Sequence, residues 1–312
     1  MLPWHKAAWN RVARAEQLPH ALLITGPPGI GKRPFAERLA RRLVCEQGTA
    51  CDACRACRLA ASGHHPDVLT LRVPEGKAEI PVDEARAVNE FLTLKPHLAS
   101  RRVVLIVDAD CLNRSASNAL LKTLEEPPPE SYLLLVSDAP ARLLPTIRSR
   151  CQNLVLPRPA QGEGLSYLKA HQVPDPELVL ALAHGAPLRA LTWPKDAPAL
   201  AQRLLASLEA VAVGRGSALE ATEAWHAVDL EVGLSFLTEV ASVLTQLMVT
   251  GTIARGWHGT QEGRLRALAA KLDLTQVLGV WDEALSARGL AAAPLDRRLV
   301  WDRLFMHVEP RG

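Results

Sequence analysis

The sequence predicts an α/β N-terminal domain on a parallel sheet, then a small helical domain and an all-α C-terminal domain. Three observations carry this. Short apolar runs alternate with helix-period stretches over residues 1–155. One of those runs ends in Gly26-Pro27-Pro28-Gly29-Ile30-Gly31-Lys32. From about residue 198 to residue 307 the Ala- and Leu-rich stripes keep a helical period with no strand alternation.

In chain order, residues 20–25 (HALLIT) read as a strand that leads into the glycine-rich turn, and residues 33–44 as a helix with Phe35, Leu39 and Leu43 on one face. Residues 68–73 read as a strand. Residues 82–92 read as a helix with Asp83 and Glu84 in its first turn, where acidic side chains favour the helix dipole. Residues 102–107 (RVVLIV) and 132–136 (YLLLV) are continuous apolar runs, as expected of strands covered on both faces. Residues 115–124 form a helix that stops at Pro127-Pro128-Pro129. Leu156-Pro157-Arg158-Pro159 is a linker. The expected domains are 1–156, 157–196 and 197–312.

At 312 residues the chain is long enough for two or three domains. With 48% hydrophobic and 22% charged residues it is not a disordered chain. The net charge of +3 is unevenly spread: residues 1–155 hold 21 Lys and Arg against 16 Asp and Glu, while residues 156–312 hold 15 against 17. A modestly basic N-terminal half suits phosphate-bearing partners, though no aromatic–basic interleaving marks a strand-binding groove. No run of about 20 uncharged apolar residues predicts a membrane span. The best candidate, residues 228–249, carries Asp229, Glu231 and Glu239. The N-terminus lacks the apolar core of a secretion signal, so the six cysteines are expected as thiols or metal ligands.

Gly26, Gly29, Gly31 and Lys32 have the strand–loop–helix context of a phosphate-binding loop, in which backbone N–H groups cradle phosphate and the lysine reaches the terminal phosphates. The competing reading is a structural Gly/Pro turn. The position after Lys32 holds Arg33 where Ser or Thr would ligate Mg²⁺, and Pro34 follows. Asp108-Ala109-Asp110 puts alanine where a hydrolysing ATPase keeps a water-activating glutamate, with Asp110 offset by one along an expected strand end. Nucleotide binding without turnover, a purely structural loop and hydrolysis are the alternatives, and Arg33 and Ala109 weigh against the last.

Cys45, Cys51, Cys54 and Cys57 fall within 13 residues, a spacing that can wrap one structural Zn²⁺. An iron–sulfur cluster, buried free thiols or disulfides are the alternatives. His64 and His65 are read as a solvated loop, and Cys111 and Cys151 as isolated residues. From the residues alone Arg150, behind a Pro145-initiated turn, is a surface arginine, Ser137 is a cap, and Glu125 and Glu126 form a polar turn or subunit contact.

The run LPHALLITGPPGIGK, the four-cysteine cluster, SNALLKTLEEPPP at 117–129 and IRSRC at 147–151 together resemble the AAA+ subunits of the bacterial DNA polymerase III clamp loader. The likeness covers residues 1–155; the remainder agrees in length and helical character. It implies an AAA+ domain, a lid and an oligomerisation collar. It implies that Ser149-Arg150-Cys151 presents Arg150 as an arginine finger to ATP on a neighbouring subunit, with Arg148 as the fallback, and that Ser137 stands where related ATPases keep a phosphate sensor. Arg33 and Ala109 depart from the motor subunits and imply the non-hydrolysing member of the ring. The implied partners are motor subunits and a delta subunit in a heteropentamer, with the sliding clamp and primer–template DNA reached through the complex in a cytoplasmic replisome. An active motor subunit and a zinc-containing DNA-binding module on an inert P-loop fold are the rivals.

Overall fold

The computed structural model describes every residue except 16–17, 254–255, 258–259, 290–295 and 311–312. Its internal contacts divide it into two compact units, Met1–Ala160 and Gln161–Gly312.

The first unit opens with helix α1 (Lys6–Arg14) and strand β1 (Ala21–Thr25), followed by α2 (Lys32–Val44) and α3 (Arg55–Ala61). Then come β2 (Val68–Leu71), α4 (Val82–Thr93), β3 (Arg102–Ile106), α5 (Arg114–Glu125), β4 (Ser131–Ser137), the single turn α6 (Pro145–Arg148) and β5 (Gln152–Val155). The five strands form one parallel sheet in the order β2-β3-β4-β1-β5. β1 and β3 are buried along their whole length, and β4 is buried at all but Tyr132. This is why those strands read as unbroken apolar runs in the sequence: a parallel strand covered by helices on both faces has no solvent side to alternate with. The side chains of Leu133 and Leu135 join α4 and α5 in one apolar cluster with Val104 and Ile106.

The expected strands and helices recur within one or two residues of their predicted ends. α5 is capped at its start by Asn113, whose side chain accepts from the Ala116 N–H at 2.8 Å. It ends one residue short of Glu126, ahead of the three prolines. Three elements escaped the sequence reading. β5 is an edge strand with only Leu154 buried, so it carries no apolar run. α1 and α3 are short helices whose composition is mostly polar or alanine.

Asp67, just before β2, is fully buried and organises the loop that leads into β3. Its carboxylate accepts from the N–H groups of His97, Leu98 and Ala99 at 2.6, 2.6 and 2.8 Å, and the Arg102 guanidinium stands 3.8 Å away. His65 is buried beside it and accepts from the Asp67 N–H at 3.0 Å. The expected solvated loop is therefore right for His64 and wrong for His65, because the latter closes the turn into β2.

The second unit is helical throughout its described residues: α7 (Gln161–Ala170), α8 (Pro176–Leu182), α9 (Pro187–Leu191), α10 (Ala197–Ala212), α11 (Ala218–Trp225), α12 (Leu230–Thr250), α13 (Thr260–Ala269), α14 (Leu274–Gly289) and α15 (Arg297–Met306). Two apolar clusters run through it. Leu168, Val179, Leu180, Ala183 and Ala190 join α7, α8 and α9. A larger cluster joins α10 to α15 and also takes Leu178 and Leu182 from the other face of α8. α12 is long and apolar enough to cross a bilayer, with a mean hydropathy of 1.6 over its best window, but 61% of that window is buried among the other helices. Gly233 lets it meet α15: a Cβ there would lie 2.5 Å from the Trp301 ring. This is the packing of a core helix.

Burial alone would raise the Asp67 pKa; its three backbone donors more than reverse this and hold it below the ordinary carboxylate range. The stabilisation is then fully present above the unfolded-state value of about 4 and is lost as pH falls through the lower folded-state value. Asp67→Asn should lower unfolding free energy by about 3 kcal/mol near neutral pH. It should also flatten the loss of stability below pH ~4 in urea titrations, and an unchanged acid limb would contradict the role given to this carboxylate.

Candidate functional site

The shape of the glycine-rich loop between β1 and α2 follows from its neighbours. β1 runs between β4 and β5, so the chain leaving Thr25 emerges at the strand C-termini, where α/β sheets place ligands. Gly26 has φ +147°, and a Cβ on it would lie 2.3 Å from the Leu156 carbonyl oxygen at the end of β5. No other residue fits there. Gly29 and Gly31 also take positive φ, at 75° and 91°, and Gly31 is the residue that precedes α2. From behind, the Trp4 indole N–H donates to the Ile30 carbonyl at 2.8 Å. Trp4 is a part of the loop's support that sequence reasoning passed over.

Pro34 sits in the first turn of α2, whose N–H groups need no helical partner, so it leaves the helix intact and removes one donor from the helix end. Arg33 turns outward along the helix and donates to Glu37 at 2.8 Å. Lys32 is buried, and its ammonium donates to the carbonyls of Gly26 and Pro27 at 2.7 and 2.6 Å. It also forms an ion pair with Asp138, immediately after β4.

Asp138 belongs to a group of three carboxylates. Asp108 takes φ +56° and opens a short 3-10 turn over Ala109–Cys111. The strand ends at Ile106, so Asp110 lies in a turn and not along the expected strand end, and it accepts from the Asp138 N–H at 3.2 Å. Partial burial, then the charges of Asp138 and Asp110, push the Asp108 pKa up against the pull of Arg33 and Lys32. Ala109 is completely buried. Ser137 is completely buried as well, and its hydroxyl has no hydrogen-bond partner among the described residues, so it does not act as the expected cap.

Arg150 and Ser149 follow α6. The Ser149 hydroxyl donates to the Thr146 carbonyl at 3.1 Å. The Arg150 guanidinium donates to the same carbonyl at 3.0 Å and pairs with Glu125 at the end of α5. The side chain of Arg150 remains one-third exposed. Glu125, expected as part of a polar turn, is thus the residue that fixes Arg150, while Glu126 only ends the helix.

The four cysteines meet between α2 and α3. Their sulfur atoms lie within 4.8 Å of one another, with Cys45 to Cys51 at 3.7 Å and Cys51 to Cys57 at 4.0 Å. A tetrahedral ZnS₄ site with Zn–S of about 2.3 Å has sulfur–sulfur edges of about 3.8 Å, so the cage fits a metal ion such as zinc. The thiols are free, not disulfide-bonded. Positive φ at Ala50 and Asp52 produces the tight turns, and Arg41 and Arg38 hold Asp52 from α2 at 2.8 and 3.4 Å. Burial opposes the Cys45 thiolate, but the N–H groups of Cys51, Thr49 and Gln47 bring its pKa down to about 5. N–H donors from Cys57 and Glu46 also lower that of Cys54. Burial and the neighbouring sulfurs push Cys57 up to about 12. A dication reverses that last effect and makes all four thiolates compatible. Neither His64 nor His65 belongs to the cage. Cys151 is isolated, and burial pushes its thiol up to about 11.

The sequence profile of the family described as DNA polymerase III, delta subunit, matches residues 3–160. DNA polymerase III subunit delta' of Pseudomonas aeruginosa is 43% identical over 60% of this chain and 60% of its own length. DNA polymerase III subunit delta' of Escherichia coli is 30% identical over 98% of this chain and 95% of its own. The first match therefore spans less than two thirds of that relative. Among solved structures, a DNA polymerase III gamma-subunit-related protein from Thermotoga maritima aligns over 98% of both chains at 19% identity, with a TM-score of 0.48.

Chelation separates the cage from the rest of the unit. A strong chelator should lower the melting temperature of the wild-type chain and leave Cys51→Ser nearly unmoved, since binding energy at such a site is folding energy. Equal responses of the two proteins to chelator would rule out a metal at these sulfurs.

Proposed function

This chain belongs to the delta-prime family of bacterial DNA polymerase III clamp-loader subunits, and from that premise we propose that it does not hydrolyse nucleotide itself and supplies Arg150 to the ATP of a neighbouring subunit. One observation carries the reading: the backbone of a phosphate loop is complete while the groups that would fire it are gone. Arg33 occupies the Mg²⁺-ligand position and points away to Glu37, and Ala109, buried, occupies that of the water-activating acid. Turnover in cis lacks both a metal ligand and a base.

Arg150 has the opposite character. It stands beyond a rigid turn begun by Pro145, partly exposed, with its planar fork held by Glu125 and the Thr146 carbonyl. A guanidinium presented in this way can stabilise charge on a transferring phosphoryl group. Ser149 ties the same turn and is given a supporting role; Arg148 is the fallback.

The remaining assignments extend the same reading. Cys45, Cys51, Cys54 and Cys57 hold a structural Zn²⁺, whose chemistry here is to fix the turn between α2 and α3. Residues 1–156 form the AAA+ domain, 157–196 the lid and 197–312 the collar; the compact unit Met1–Ala160 supports the first boundary to within a few residues, and α7, α8 and α9 share an apolar cluster of their own while Leu178 and Leu182 of α8 also pack into that of α10 to α15. The chain assembles with motor subunits and a delta subunit in a heteropentamer. Through that complex it meets the sliding clamp and primer–template DNA in the cytoplasm, at the replisome.

Reconstitution with the motor and delta subunits tests the finger. Arg150→Ala should slow clamp- and DNA-stimulated ATP hydrolysis at the site it completes by about 10³-fold or more, with assembly intact on gel filtration. Arg150→Lys should restore little, because an ammonium lacks the fork. Unaltered hydrolysis, or motor-like phosphate release by the isolated chain, would remove the assignment. Elemental analysis of reduced protein should give about one zinc per chain.

A further inference from the structure

We propose that Asp138 is a built-in counter-anion of the phosphate loop, seated on the lysine that would otherwise hold a nucleotide's terminal phosphates, and that its charge sets whether this chain holds nucleotide. The assignment rests on reading Gly26, Gly29, Gly31 and Lys32 as a phosphate loop; it is independent of the finger.

Three features lead to it. Lys32 is only 4% exposed and has three oxygen partners, two of them carbonyls of its own loop and the third the Asp138 carboxylate. The ammonium has three protons, so its donor capacity is filled from within the chain. Asp138 is held there by backbone: it follows β4, whose Ser137 pairs in register with Thr25 of β1, and its N–H is fixed by Asp110. The tip of β4 and the loop after β1 are therefore adjacent by sheet order, and the half-exposed Asp138 side chain reaches the loop's lysine.

The second feature is charge. Asp108, Asp110 and Asp138 lie close enough to repel one another, Asp108 feels the charges of Lys32 and Arg33, and Arg33 is already paired with Glu37. An incoming triphosphate carries several negative charges. It must displace a carboxylate from a buried ammonium and then sit beside two more, a like-charge arrangement that opposes entry. The third feature is the loss of one N–H donor to Pro34 at the helix end that would share the anion's charge. Pro34 weakens the site without neutralising it; Asp138 neutralises it.

The opposite role for the same carboxylate is a Mg²⁺ ligand that draws the metal–nucleotide complex in. The two roles differ in sign. Titration calorimetry with ATP, with and without Mg²⁺, on the full-length chain separates them. Asp138→Asn, which keeps the shape and removes the charge, should bind ATP at least tenfold more tightly than wild type. Asp138→Ser, the second variant in case the first folds poorly, should do the same. Glu130→Gln, which removes a carboxylate from the far end of β4, should not change affinity. Adding Lys32→Ala to Asp138→Asn should abolish the gain. Weaker or unchanged ATP binding in both Asp138 variants overturns the proposal. If wild-type binding is then still lost on Lys32→Ala, the phosphate loop stands and only the counter-anion falls. If no variant binds ATP and Lys32→Ala changes nothing, the loop reading falls with it. Phosphate release is measured alongside: tighter binding with no turnover leaves the non-hydrolysing assignment in place.

Discussion

The close approach of Gly26 to the Leu156 carbonyl oxygen is the constraint on which the N-terminal unit turns. It exists because β1 is threaded between β4 and β5 in a parallel sheet, so the chain must leave β1 against the end of β5 with no room for a Cβ. Everything proposed for the site is arranged around that exit. Lys32 begins the helix that the exit launches, Trp4 supports the loop from the other side, and Asp138 arrives from the adjacent end of β4. A parallel sheet brings the C-terminal ends of its strands to one edge, and the chemistry collects there.

The two charged centres of this unit are built differently, and the difference matters for function. Lys32 is buried and satisfied from within: backbone carbonyls and a carboxylate complete its shell. Arg150 is held by Glu125, the Thr146 carbonyl and, at 3.4 Å, the Ser149 hydroxyl, and its side chain stays one-third exposed. A cation closed inside its own chain is poorly placed to meet another molecule's phosphate. A partly exposed, oriented fork is well placed to do so. The contrast agrees with the proposed role, in which Arg150 serves a neighbour's site and the chain's own loop stays idle.

The cysteine cage is where we place a metal-held local staple. Its four sulfurs come from the end of α2, two tight turns and the start of α3, a stretch with too few apolar side chains to hold itself against the sheet. Asp67 does comparable work elsewhere by gathering three N–H groups and standing near Arg102. In both places a polar or metal-binding group orders a loop that hydrophobic packing does not reach.

The sequence by itself determined the parallel α/β class, the strands β1, β3 and β4, the glycine-rich loop that leaves β1 and the four-cysteine set. These signals are local: unbroken apolar runs, glycines where only glycine fits, thiols a few residues apart. It missed β5 because an edge strand buries one side chain in four, and it misplaced His65 because nothing local marks that ring as buried. Only the tertiary structure decided that Asp138 sits on Lys32 and that Glu125 holds Arg150. Those partners are 106 and 25 residues apart, and strand order and helix placement, not sequence spacing, bring them together.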